Sequence, residues 1–153
     1  MIIYRLAIEA YKNDLTGNGA KQFGGRWNIQ GIPALYTAQH ISLAILEILV
    51  NMNKTHIPMN YHLIKIEIPN ENKPFIVSKE KLKKNWKDDI EYSQFIGSEF
   101  FKQNKALYLQ VPSSIVDEEF NFVFNPLHAE FKKVKIKSVS KFKFDNRLLI
   151  LNE

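Results

Sequence analysis

An arginine, a tyrosine and a glutamate stand at positions 26, 36 and 47, inside the stretch GGRWNIQGIPALYTAQHISLAILEILV (residues 24–50). Arg26 sits beside glycines, where side chains can converge and a guanidinium can hold an anionic ligand through paired hydrogen bonds. Glu47 is the odder residue. Leu46 and Ile48 flank it, and Leu43 and Ala44 lie one helical turn earlier, so its helical surroundings are apolar. A carboxylate placed there needs a cation or hydrogen-bond donors to stay ionised. Two readings satisfy that need. Either Glu47 faces a cleft and does chemistry there, or it belongs to a structural ion pair; Arg26 is a candidate for the cation.

Other constellations are weaker. His40, His56, His62 and His128 show no metal-ligand spacing, and no cysteine is present to help them. Neither a dinucleotide fingerprint nor a phosphate-binding P-loop occurs. Ser113 follows Pro112 without the glycine-flanked turn of a hydrolase nucleophile; by residue type it reads as a cap before IVDEE. Near the end, FKKVKIKSVSKFKF (131–144) reads as a strand. It would set Lys133, Lys135, Lys137, Lys141 and Lys143 on one face and Val134, Ile136, Phe142 and Phe144 on the other. That lysine face is either an anion-binding stripe for nucleic acid or a charged edge protected against aggregation. No aromatic residue interleaves with the lysines, so no stacking platform for single-stranded bases forms on it.

The elements that must position these groups follow from periodicity. A strand is predicted over 2–7, with Tyr4 and Arg5 on opposite faces. Five of the six glycines fall between residues 17 and 31, within a segment (12–33) read as one long functional loop. A short strand (34–37) and a helix (39–51, capped near Thr37 or Gln39) come next. Strands are predicted over 61–69, 74–77, 106–111 and 121–124, with helices over 79–87 and 90–103 between them. The order is α+β. At 153 residues, with 45% hydrophobic and 24% charged residues, one domain spanning 1–153 is expected, and disorder is disfavoured. No apolar run reaches the ~18 residues of a spanning helix, the start MIIYRLAIEA lacks a signal-peptide pattern, and cysteine is absent; the expectation is a cytoplasmic protein. The net charge of +5 favours anionic partners, though lysine-rich composition alone would also produce it.

Beyond spacing, the chain resembles the RES domain family, the toxins of RES–Xre bacterial toxin–antitoxin pairs. The resemblance rests on YRLA (4–7), GGRWN (24–28), PALYTA (33–38) and SLAILEILV (42–50). It continues through IEIP (66–69), ALYLQVPSSIV (106–116), EFNFVFNPLH (119–128) and FKFDNRLL (142–149). One departure is visible in FIGSEFFKQN (95–104), where many relatives carry a tryptophan after the glycine and Phe100 or Phe101 takes its space. The resemblance implies an ADP-ribosyltransferase-like fold of mixed and antiparallel sheets with flanking helices. It also implies an enzyme that cleaves the nicotinamide–ribose bond of NAD, with NAD as substrate rather than cofactor and no metal. Arg26 would hold the phosphates or orient the ribose, Tyr36 would stack near the nicotinamide, and Glu47 would stabilise the cationic sugar. Ser113 would bind the ligand from the opposite wall, and Arg5, Trp27 and Asn121 would be substrate-binding. The implied partners are an Xre-type helix-turn-helix antitoxin, which would contact DNA on the toxin's behalf, and a second copy in a homodimer. Alternatives from the same reading are an ADP-ribosyltransferase acting on a protein, or a nucleic-acid-binding module using the Lys133–Lys143 face.

Overall fold

The computed structural model describes residues 1–52 and 59–149; His56 lies outside them. The chain opens with β1 (Ile2–Ile8), then α1 (Asn18–Phe23), β2 (Leu35–Ala38) and α2 (Ile41–Asn51). Next come β3 (Tyr61–Glu67), β4 (Phe75–Ile76), α3 (Ile90–Gln103), β5 (Tyr108–Pro112), β6 (Phe120–Phe124) and β7 (Lys135–Phe142). Among the described residues the strands form one mixed sheet in the order β4-β5-β6-β2-β1-β3-β7, with only β4 and β5 parallel.

The sheet is nearly two sheets. β1 pairs with β3 along its whole length, from Ile2↔Glu67 to Ile8↔Tyr61, and β2 pairs with β6 from Leu35↔Phe124 to Ala38↔Asn121. Between β1 and β2 the ladder holds a single pair, Tyr4↔Ala38. Neither the next antiparallel partners, Arg5 and Thr37, nor the pair beyond them, Leu6 and Tyr36, is paired. The halves therefore splay apart on the Tyr36 side.

Period-two alternation divides the core accordingly. Ile3, Leu35, Ile64, Ile66, Phe122 and Phe124 share one face, under a cover that includes Leu15 and Phe131. The other face carries two clusters. Under α2, Leu43 and Ala44 pack on Leu6, Ala38 and Tyr61. Under α3, Phe100 and Phe101 pack with Trp27, Leu109, Val111 and Val123. Phe100 and Phe101, the two residues at the FIGSEFFKQN departure, are thus both buried. A gap is left between the two clusters, over the splay.

Four elements differ from the sequence reading. The glycine-rich segment contains α1, masked in the sequence by Gly17 and Gly19; Gly17 adopts φ +70 at the N-cap, close against Ala34, where a side chain would clash. α2 starts after His40 with no side-chain cap. Residues 79–87 form only one 3-10 turn, Lys79–Lys81. The lysine stripe does not form. Lys133 ends a 3-10 turn (Ala129–Lys133), and a β-bulge intervenes in β7, because Lys65 pairs with Ser138 but Ile66 with Ile136. Lys135 opposes Glu67 and so shares the face of Leu63, whereas Lys141 opposes His62 and shares the face of Ile64. The apolar residues split likewise, Val134 and Ile136 into one core and Phe142 and Phe144 into the other. Lys137 lies 3.8 Å from Glu67, and Lys133 pairs with Glu130. What remains is a twisted, charged sheet edge.

α3 approaches the Gly25–Asn28 turn without clearance. A Cβ on Gly97 would stand 1.8 Å from the Trp27 carbonyl oxygen. Gly97→Ala is expected to destabilise the protein by about 3 kcal/mol, since a backbone group must shift; chemical denaturation of the two proteins checks it.

Candidate active site

The site grows from a short turn. Gly25 N–H donates to the Asn28 carbonyl at 2.9 Å, making Arg26 and Trp27 the tip. The Asn28 side chain is fully buried and uses both ends of its amide. Its Nδ2 donates to the carbonyls of Ala20 (2.9 Å), Ile32 (2.9 Å) and Ile29 (3.2 Å), while Oδ1 accepts from the Tyr36 hydroxyl at 2.7 Å. The same Tyr36 oxygen accepts the Trp27 backbone N–H at 2.9 Å. Three pieces of chain are thereby locked together: α1, the turn, and β2. Burial pushes the Tyr36 hydroxyl well above the usual tyrosine range, and the Trp27 amide opposes this only in part. It therefore stays protonated and keeps both bonds, with the ring bordering the cavity.

Arg26 is aimed by a second segment. Its Nη1 donates to the Lys87 carbonyl at 2.8 Å, and its guanidinium carbon lies 5.8 Å from the centre of the Trp86 ring. Trp86 in turn packs against Trp27, centroids 5.8 Å apart. Gln94 of α3 donates to the Gly25 carbonyl at 2.9 Å, fixing the turn from its other side. Asp117 pairs with both Lys79 and Lys87, which ties the loop after β5 to this segment.

Glu47 enters from the opposite wall, on α2. Its Oε1 accepts from Asn121 Nδ2 at 2.6 Å. Asn121 is on β6 opposite Ala38, at the point where the β1–β2 ladder ends. Burial raises the Glu47 pKa; the Asn121 bond and the Arg26 charge pull it back. The donor that sequence reasoning required is therefore Asn121. Arg26 acts on the carboxylate through space, and among the described residues no direct ion pair joins the two.

Arg26, Tyr36, Glu47 and Asn121 border one cavity of about 600 Å³, set in the gap between the two clusters. The wall is mainly apolar, with Tyr4, Ala38 and Ile48 among its members, and a few convergent polar groups. This is the usual make-up of a small-molecule site. Of the other candidate residues, Arg5 and Trp27 also border this cavity and Ser113 does not, and the polar end or ring of each has a structural partner. Arg5 is turned to the opposite face of β1, where its guanidinium donates to the carbonyls of Asp14 (2.6 Å) and Tyr11 (3.4 Å). It anchors the loop after β1. The Trp27 ring is core, packed beneath α3. Ser113 is buried, and its Oγ accepts the amides of Ile115 and Val116 at 3.1 Å each; it closes a turn and does not cap a helix, since none forms between β5 and β6. Its neighbour Ser114 borders the cavity.

Sequence reasoning gave no role to Asn28, the residue that organises the turn. The available signal was a polar amide within an apolar, glycine-rich motif, which must find partners if buried. Trp86, Lys87 and Gln94 lie some 60 residues further along the chain and left no such signal.

Residues 2–145 match the RES domain family. The protein named Toxin Res of Photorhabdus laumondii subsp. laumondii is 38% identical over 97% of each chain. The Prs ADP-ribosylating toxin of a Sphingobium species is 36% identical over 95% of each. In structure, the chain superimposes on a chain of the M. tuberculosis MbcT–MbcA toxin–antitoxin complex with a TM-score of 0.74, at 18% identity, covering 92% of this chain and 83% of that one. The fold is the expected ADP-ribosyltransferase-like α+β arrangement.

Because the Glu47 pKa is raised on folding, its charge opposes folding. That penalty is absent below the ordinary glutamate value of 4.5, sets in as pH rises past it, and is complete above the folded value. Glu47→Gln keeps an acceptor for Asn121 and removes the charge. Its melting temperature is expected to match the wild type at pH 4 and to exceed it at pH 8, as read by thermal unfolding at both pH values.

Proposed function

The chain belongs to the RES domain family, and from that premise we propose that it is a toxin enzyme that cleaves the nicotinamide–ribose bond of NAD. One observation carries the reading: a half-buried carboxylate, Glu47, shares a cavity with a positioned guanidinium, Arg26. In the proposed reaction the C1′–N1 bond breaks and its electron pair goes to the pyridinium nitrogen, releasing neutral nicotinamide. The ribose becomes an oxocarbenium-like cation, and a carboxylate held in an apolar wall stabilises that charge more than water would. Asn121 keeps Glu47 oriented and ionised through its 2.6 Å bond. Arg26, held by Lys87 and Trp86, binds the pyrophosphate. Tyr36 contributes a ring face to the nicotinamide end, and its hydroxyl holds the Arg26 turn. Arg5, Trp27 and Ser113 act through the loops and core that shape the cavity.

Water as acceptor yields ADP-ribose and a proton; inorganic phosphate yields ADP-ribose 1-phosphate. Transfer to a protein side chain is a second reading, favoured by the 36% identical Sphingobium relative named for ADP-ribosylation. Restraint of such an activity calls for an antitoxin. We assign that role to an Xre-type helix-turn-helix protein, which would bind the operator DNA, with the toxin as a homodimer in the complex.

Purified protein is expected to release nicotinamide from NAD, and mass spectrometry with phosphate present and absent identifies the acceptor. Glu47→Gln and Arg26→Ala should each lower turnover by about 100-fold or more, the scale of losing one preorganised electrostatic group. Wild-type turnover should fall as acid protonates Glu47, with a midpoint above 4.5. Intact NAD after prolonged incubation, with or without phosphate, would sink the hydrolase and phosphorylase readings; failure to label any protein of a bacterial lysate as well would sink the transferase.

A further inference from the structure

One feature of the cavity is left unused by bond cleavage at the nicotinamide ribose. Phe23 is the last residue of α1 and three residues before Arg26; it is 79% exposed, and it borders the same cavity. Val50, 63% exposed, borders it too, and open apolar side chains gathered round one cavity mark a ligand site where a single one would not. The neighbours of Phe23 are equally pointed. Gly19 and Ala20 lie on the same face of α1 and also border the cavity, one with no side chain and one with a methyl. A Cβ built on Gly19 meets nothing within 4 Å, so the fold does not require the glycine there. Ile90, the first residue of α3 and 44% exposed, borders the cavity as well.

α1 is not free to move as a unit. The Ala20 carbonyl accepts from Gly24 N–H at 2.8 Å and from Asn28 Nδ2 at 2.9 Å, and the Lys21 carbonyl accepts from Gly31 N–H at 2.8 Å. The ledge of Gly19, Ala20 and Phe23 is therefore built rigidly onto the turn that carries Arg26.

Resting on the NAD reading, we propose that this ledge is the subsite for the second base: Phe23 stacks on the adenine of the dinucleotide, over the bare surface left by Gly19 and Ala20. The placement follows from charge and reach. Glu47 takes the nicotinamide ribose, Arg26 takes the pyrophosphate, and the adenosine must leave Arg26 on the side away from Glu47. Phe23 is an aromatic face attached directly to that turn. Stacking on a flat ring needs no hydrogen-bond readout of the base, so Phe23 sets affinity for an aromatic base and leaves the chemical step alone.

The test compares NAD with nicotinamide mononucleotide, which has the same scissile bond and no adenylate. Phe23→Ala is expected to raise KM for NAD by about 5- to 100-fold, the range for loss of one aromatic stacking partner. It should leave kcat for NAD and all kinetics with the mononucleotide unchanged, and Phe23→Tyr should retain the wild-type KM. Gly19→Leu, which fills the ledge, should raise KM for NAD as Phe23→Ala does without lowering the melting temperature. An unchanged KM for NAD in both variants, or an equal loss with the mononucleotide, overturns the subsite. Calorimetric binding of ADP-ribose needs no turnover and separates the two readings. Binding that weakens in Phe23→Ala upholds the subsite even if the wild type leaves NAD intact; binding indifferent to Phe23 sinks the subsite even if NAD is cleaved.

Discussion

The site depends first on one buried amide. Asn28 has no access to water, and each of its polar atoms must be paired within the protein or carry a penalty of about 1–3 kcal/mol. It finds three carbonyls and the Tyr36 hydroxyl, and in doing so fixes α1, the turn and β2 relative to one another. The glycines around it follow from the same crowding. A side chain on Gly25 would meet the Tyr36 hydroxyl at 2.6 Å and Asn28 Oδ1 at 2.9 Å. Arg26 inherits its direction from this knot, because its flanking residues cannot move without breaking buried hydrogen bonds.

A second constraint is the incomplete sheet. Had the β1–β2 ladder continued past Tyr4↔Ala38, Leu6 would face Tyr36 and the two clusters under α2 and α3 would merge into one core. The splay keeps them apart and leaves a cavity lined by apolar residues from both sides. Asn121 sits at the edge of the splay, where it can hold Glu47 and still leave the carboxylate on the cavity. The cavity thus lies where strand pairing stops short of Leu6 and Tyr36.

These arrangements carry opposed energetics. The Asn28 knot and the fit of α3 on Gly97 stabilise the fold, whereas Glu47 is held with its pKa raised and its charge half desolvated. Under the proposed function, a charge that is costly in the native state is well suited to stabilise a transient cation, since less solvent competes for it. Stability is given up at Glu47, while the Asn28 hydrogen bonds and the packing of α3 supply it elsewhere.

The sequence by itself determined the α+β class, the strands read at 2–7, 61–69 and 121–124 and found at Ile2–Ile8, Tyr61–Glu67 and Phe120–Phe124, and the helix carrying Glu47, because hydrophobic periodicity is a local property. It also marked Glu47 as anomalous, and its motifs carried the family resemblance. Tertiary structure decided the rest. That Asn121 and not Arg26 would hold Glu47, 74 residues away, depends on sheet register. A single bulge undid the lysine face, since shifting one residue exchanges the two sides of a strand. α1 was hidden because Gly17 and Gly19 argue against helix, yet packing against Ala34 and capture of Ala20 and Lys21 carbonyls outweigh that local preference. Local pattern says which residues form an element; only the packed sheet says which of them meet.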